Sequence, residues 1–154
     1  MIQNPVLANT VFLPSFIDGG WELVIHLQTK TLRRKVRPKE REQIAITLFG
    51  ECFEPAMITK IADTAEVTRD IVFLQVASHH HDWQVRVSSI VNGTLPQGFV
   101  KRMCSDPDPS VRAAALRSPH RSGELVDRVL SGTDVAVGEL VGVEFLEDLR
   151  AGLN

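Results

Sequence analysis

His79-His80-His81-Asp82 places four potential metal ligands side by side. Zinc sites draw on these residue types, but consecutive side chains diverge and rarely meet on one ion. Asp82 also has a competing role at the start of a helix. The run therefore reads as an inter-helix loop, and no metal or other cofactor is expected. A second group is the basic run Lys30, Arg33, Arg34, Lys35, Arg37, Lys39 and Arg41. Such a density of cations can contact phosphates, although Glu40 and Glu42 dilute it. Aromatic side chains able to stack on bases are few, with Trp21 and Trp83 present and tyrosine absent. No glycine-rich loop leads into a lysine. Cys52 has no histidine near it in sequence, and nothing marks Cys104 as a nucleophile. The chain is thus expected not to be an enzyme.

The elements that would hold these groups repeat at 26 residues. Asp82, Asp108 and Asp134 coincide in that frame, as do Val85, Val111 and Val137. Aspartate is a favoured N-cap, because its carboxylate accepts a backbone N–H left free by the first turn and suits the helix dipole. Pro109 follows the second cap, where its missing N–H is harmless. Ser88, Ala114 and Leu140 align next, then Ser89, Ala115 and Val141, giving small or apolar residues at one turn's spacing. The other half of the period aligns Phe73, Phe99 and Leu125; Leu74, Val100 and Val126; and Ala77, Met103 and Val129. That is the apolar stripe of a second helix. Thr68 and Thr94 fall near its start, with Ser122 the third cap. Cys104 shares a column with Ser78 and Leu130, which predicts burial. Each unit is two short helices that must stack on their neighbours to bury their apolar sides. The fold class is mainly α: a short α-solenoid of stacked helix pairs.

The stretch Asp106-Pro107-Asp108-Pro109-Ser110-Val111-Arg112-Ala113-Ala114-Ala115 resembles HEAT-like repeats, and most closely the leucine-rich repeat variant, over residues 66–142. The resemblance implies a binding scaffold, with the valine turned inward and the arginine linking adjacent repeats. Arg86 and Arg112 match that role and Gly138 does not. A cysteine cluster precedes the repeats in a member of the variant family; Cys52 and Cys104 are too few to carry it over. HEAT-like DNA glycosylases use Trp and Asp in catalysis, which Trp83 beside Asp82 resembles, but those enzymes are longer and this repeat region is acidic.

With 154 residues, 44% of them apolar and 23% charged, the chain is expected to be one domain, 1–154. The net charge of −2 hides an asymmetry. Residues 1–50 carry seven Lys/Arg against four Asp/Glu, whereas 132–154 carry five acids against Arg150 alone. Opposite signs at the two ends can steer a partner or favour contact between copies. No signal-peptide pattern opens the chain and no apolar run spans a membrane, so the expected location is cytoplasmic. Two distant cysteines suit reduced, structural thiols.

Residues 1–37 are read as an N-terminal cap. After the Asp18-Gly19-Gly20 turn signal, Trp21, Leu23, Ile25 and Leu27 alternate with Glu22, His26 and Gln28, with Val24 alone breaking the pattern. Paired with Val11–Ile17 this would make a hairpin with Pro14 at an edge or bulge; a helix from Trp21 to Val36 is the rival. Residues 38–65 form a helical lead-in, with Ile44, Ala45, Leu48 and Phe49 on one helix and Met57, Ile58 and Ile61 on another. Glu66-Val67-Thr68 reads as a turn. Residues 143–154 form a capping helix with Val143, Leu146, Leu149 and Leu153 inward and Glu144, Glu147 and Asp148 outward.

The function expected is a non-enzymatic protein–protein interaction scaffold, with Trp83, Arg86, Arg112 and Arg117 as partner-binding candidates. For Arg86 and Arg112 the competing role is a structural ladder to acids such as Asp106 and Asp108. The alternative function is nucleic-acid binding through Lys30, Arg33, Arg34, Lys35 and Arg37. A homodimer is a further expectation, through a free hairpin edge.

Overall fold

The computed structural model describes residues 10–15, 20–26, 31–36 and 55–153. The helix expected over 44–49, Cys52, and the basic residues Lys30, Arg37, Lys39 and Arg41 lie outside the described residues. So does the Met57 side chain.

The chain is mainly helical. Among the described residues, eight helices follow three strands: α1 (Pro55–Val67), α2 (Ile71–Ala77), α3 (Trp83–Val91), α4 (Gln97–Met103), α5 (Pro109–Arg117), α6 (Gly123–Leu130), α7 (Val135–Val141) and α8 (Val143–Arg150). The strands β1 (Thr10–Ser15), β2 (Gly20–His26) and β3 (Thr31–Val36) pair antiparallel in that order. Pro14 lies on the edge strand β1 with its Cα opposite Trp21. β3 is the other edge, with Arg33 opposite Val24, Arg34 opposite Leu23 and Lys35 opposite Glu22.

Side-chain caps fix where the helices begin. Asp82 accepts the Gln84 N–H at 2.8 Å and Asp108 accepts the Ser110 N–H at 2.8 Å. Ser122 Oγ accepts the Leu125 N–H at 3.2 Å. Thr68 and Thr94 do not cap. Asp70 caps α2, accepting from Val72 and Phe73 at 3.0 and 3.2 Å, while Thr68 Oγ1 accepts the Asp70 N–H. Pro96 stands at the α4 cap position without a side-chain bond. Nor do Glu66 and Val67 form a turn, because α1 runs through them.

The helices stack. α1 packs on α3, α3 on α5 and α5 on α7, making one row. The intervening helices pack beside it: α2 on α1 and α3, α4 on α5, and α6 on α5 and α7. Val85, Val111 and Val137 are fully buried, as are Ala77, Met103 and Val129 to within a few per cent. Small residues at Ser89 and Ala115 are also buried, and they let the row approach closely. One continuous hydrophobic cluster runs from Ile58 and Ile61 in α1 to Leu149 in α8.

Gly142 divides α7 from α8. Its φ of +84° is a left-handed conformation that costs glycine little and other residues more. α8 turns Leu149 into the core and leaves Phe145 and Leu146 half-buried against it. Val143 and Leu153, expected inward, are 71% and 76% exposed. Val143 opens the helix beside the Gly142 break and Leu153 lies beyond its end at Arg150. No helix among the described residues is long and apolar enough to cross a membrane.

Candidate protein-binding surface

The sequence places the candidate arginines on the second helix of each unit, and the structure gives two of them the same task. Arg86 on α3 sends Nε and Nη2 to the two carboxylate oxygens of Asp106, each at 2.9 Å. Its Nη1 donates to the carbonyls of His80 and His81 at 2.8 and 2.9 Å. Arg112 on α5 sends Nε and Nη2 to Asp134 at 2.8 and 3.0 Å, and Nη1 to the carbonyls of Asp106 and Pro107. Four of the five N–H donors on each guanidinium are therefore committed within the fold. The forked geometry gives both strength and direction.

The two pairs differ in which acid they use. Asp106 stands two residues before the cap Asp108 and also accepts the Asp108 N–H at 2.9 Å. In the third unit Gly132 occupies the corresponding position, so the cap itself, Asp134, receives Arg112. Asp134 also accepts the Val137 N–H of α7 at 3.4 Å. The hydrogen bond from Arg112 holds the Asp134 carboxyl below the ordinary carboxylate range, against the opposing effect of burial. The same bond raises the Arg112 guanidinium.

A second set of long-range polar contacts was not anticipated. Arg102, at the end of α4, donates Nη2 to the Ser78 carbonyl at 3.0 Å and to Ser78 Oγ at 3.2 Å. Arg128, at the end of α6, donates Nη2 to the Cys104 carbonyl at 2.9 Å. Each satisfies a carbonyl at the C-terminus of the preceding first helix, one of the groups that helix ends leave open. Burial lowers the Arg102 pKa from its ordinary value, with Asp106 opposing and Arg86 reinforcing the shift. Asn92 does the same for α1, donating Nδ2 to the carbonyls of Ala65, Glu66 and Thr68. The signal for the arginines was present, because Arg102 and Arg128 are 26 residues apart, as are their acceptors Ser78 and Cys104.

The histidines separate. His79 is exposed, donates Nδ1 to the Gln75 carbonyl at 2.9 Å and meets the Phe99 ring edge-on. His80 is buried and its Nδ1 accepts the Asp82 N–H at 3.0 Å. That is the turn bond Asp106 makes one unit later, so His80 is an architectural equivalent of Asp106. His81 is exposed, with its ring 4.2 Å from that of His80. No group of three or more His, Cys, Asp or Glu among the described residues is placed to hold a metal. Cys104 is buried, and its Sγ accepts the Ser122 N–H at 3.4 Å.

The remaining partner-binding candidates are more accessible. Trp83 is 41% exposed at the first position of α3. Arg117 is exposed at the end of α5, 5.4 Å from the Phe145 ring centroid, with a long contact of 3.4 Å to the Val141 carbonyl. Of the alternative nucleic-acid set, Arg33, Arg34 and Lys35 lie on β3; Lys30 and Arg37 are outside the described residues.

Compared with protein-family models, curated proteins and solved structures, the chain matches none.

Proposed function

We propose that this chain is a short α-solenoid of 26-residue helix pairs, capped at its N-terminus by the β1–β2 hairpin, that serves as a non-enzymatic protein-binding scaffold in the cytoplasm. The resemblance to HEAT-like and leucine-rich repeat variant proteins supports the reading. The observation that carries it is the division of labour along the second helices. Arg86 and Arg112 spend their donors on neighbouring units, while Trp83 and Arg117 leave their apolar and cationic surfaces accessible on the same row. Trp and Arg are the residue types enriched where interfaces gain most of their energy. A partner bound there would meet a frame already stiffened by paired charges.

The test is a capture experiment from native lysate with wild type and the double variant Trp83→Ala, Arg117→Ala. A protein retained by wild type and lost by the variant, with the variant's circular dichroism unchanged, supports the scaffold and locates its surface. Capture that disappears on nuclease treatment points to nucleic acid instead, as does binding that falls steeply with salt.

A further inference from the structure

The turn between α2 and α3 is held by a group that titrates. His80 is 3% exposed, and its Nδ1 accepts the Asp82 N–H at 3.0 Å. A ring nitrogen that accepts carries no proton, so the ring is neutral with its hydrogen on Nε2. One unit later a carboxylate makes the same bond: Asp106 Oδ1 accepts the Asp108 N–H at 2.9 Å. Asp106 is also gripped by Arg86, whereas the residue 26 positions before Arg86 is Lys60, exposed on α1. A carboxylate ordinarily keeps its charge between pH 5 and 8; a histidine changes it there.

Charged groups of both signs surround the turn. Arg86 of α3 donates Nη1 to the His80 carbonyl at 2.8 Å, and Arg102 of α4 donates Nη2 to the Ser78 carbonyl at 3.0 Å. Asp106 faces Arg86 from the α4–α5 turn, and the Asp82 carboxylate takes the Gln84 N–H. His79 is bonded to the Gln75 carbonyl of α2, and the His81 ring is 4.2 Å from that of His80. Two guanidiniums are thus set against two carboxylates, and the Asp82 N–H decides the sign. Both ring nitrogens donate in the imidazolium, so no rotation of a protonated ring recovers an acceptor for that N–H. We propose that His80 is a pH-sensitive latch: its neutral ring closes the α2–α3 turn, and proton uptake at Nδ1 releases Asp82 and the first turn of α3. The contribution of the bond is complete above the ordinary imidazole range, about 6.5, and is lost as pH falls below it. The inference does not rest on the scaffold reading, because it invokes no partner.

NMR on the full chain tests this. At pH 8 the long-range nitrogen–proton pattern of the His80 ring should be that of the Nε2–H form. Protection of the Asp82 amide, corrected for its intrinsic exchange rate, should fall about tenfold or more between pH 8 and pH 5. The Asp108 amide, held by Asp106, is the control within the same sample and should show no comparable fall. His79→Gln with His81→Gln should leave the fall at Asp82 in place. His80→Asn offers an acceptor to the same N–H at every pH and should abolish it. Should that variant fail to fold, the comparison of Asp82 with Asp108 in wild type still decides. An Nδ1–H ring at pH 8 overturns the proposal. So do equal falls at Asp82 and Asp108, a fall lost in the His79→Gln, His81→Gln variant, or a folded His80→Asn variant with the wild-type fall.

Discussion

Asp134 serves two neighbours at once. Its carboxylate takes Nε and Nη2 of Arg112 from the previous unit and accepts the Val137 N–H that opens α7. Asp82, by contrast, caps α3 through Gln84. Asp134→Ala should therefore cost about 2–3 kcal/mol, since it removes both carboxylate acceptors of a partly buried guanidinium as well as a cap. Asp82→Ala should cost about 1 kcal/mol. Urea midpoints with unchanged slopes would measure both, and equal losses would contradict the dual role.

The acid limb of the stability curve should carry the same signature. Arg112 holds the folded-state pKa of Asp134 below its unfolded value of about 3.9. The resulting stability is complete above the unfolded value and is lost as pH falls through the lowered folded one. Asp134→Asn should accordingly be less stable than wild type at neutral pH and converge with it in strong acid. Denaturant titrations at a series of pH values would show the two curves meeting; parallel curves would argue against the pair.

Lysine should not replace the ladder arginines. Arg86 and Arg112 each bond two carboxylate oxygens and two carbonyls, which a single ammonium cannot span. Arg112→Lys should lose about 2 kcal/mol or more despite conserving charge. A double-mutant cycle with Asp134→Ala isolates the coupling between the two residues.

Burial separates residues of one type. Leu125→Ala should cost about 3 kcal/mol, because Leu125 is fully buried in the continuous core. Leu140→Ala should stay within about 0.5 kcal/mol, as surface changes usually do. Thermal or chemical denaturation of the two variants would rank them, and a reversal would mean that the end of the row is covered.

Cys104 should report on opening of the array. Its thiol is buried under Ser122. In a Cys52→Ser background, labelling by a thiol reagent should be slow in the native protein and accelerate in step with denaturant. Fast labelling without denaturant would show that the α4–α6 region opens independently.

The local code was legible in the sequence. Asp82, Asp108 and Ser122 cap helices because a short polar side chain reaches its own first-turn N–H wherever the chain is placed. Val85, Val111 and Val137 are buried because helical spacing alone assigns them to an inward face. The tertiary structure decided which groups meet across units. Arg86 takes Asp106 but Arg112 takes Asp134, since the residue 26 positions after Asp106 is Gly132 and stacking brings the cap Asp134 within reach. Asn92, Arg102 and Arg128 bond carbonyls 24 to 27 residues away, and only the packed row sets those distances. Leu140 belongs to a column of small or apolar residues by sequence but is half exposed among the described residues, because covering a helix face requires a neighbouring helix. Caps and periodicity are short-range and fixed by residue type; pairing and coverage depend on what the next helix brings.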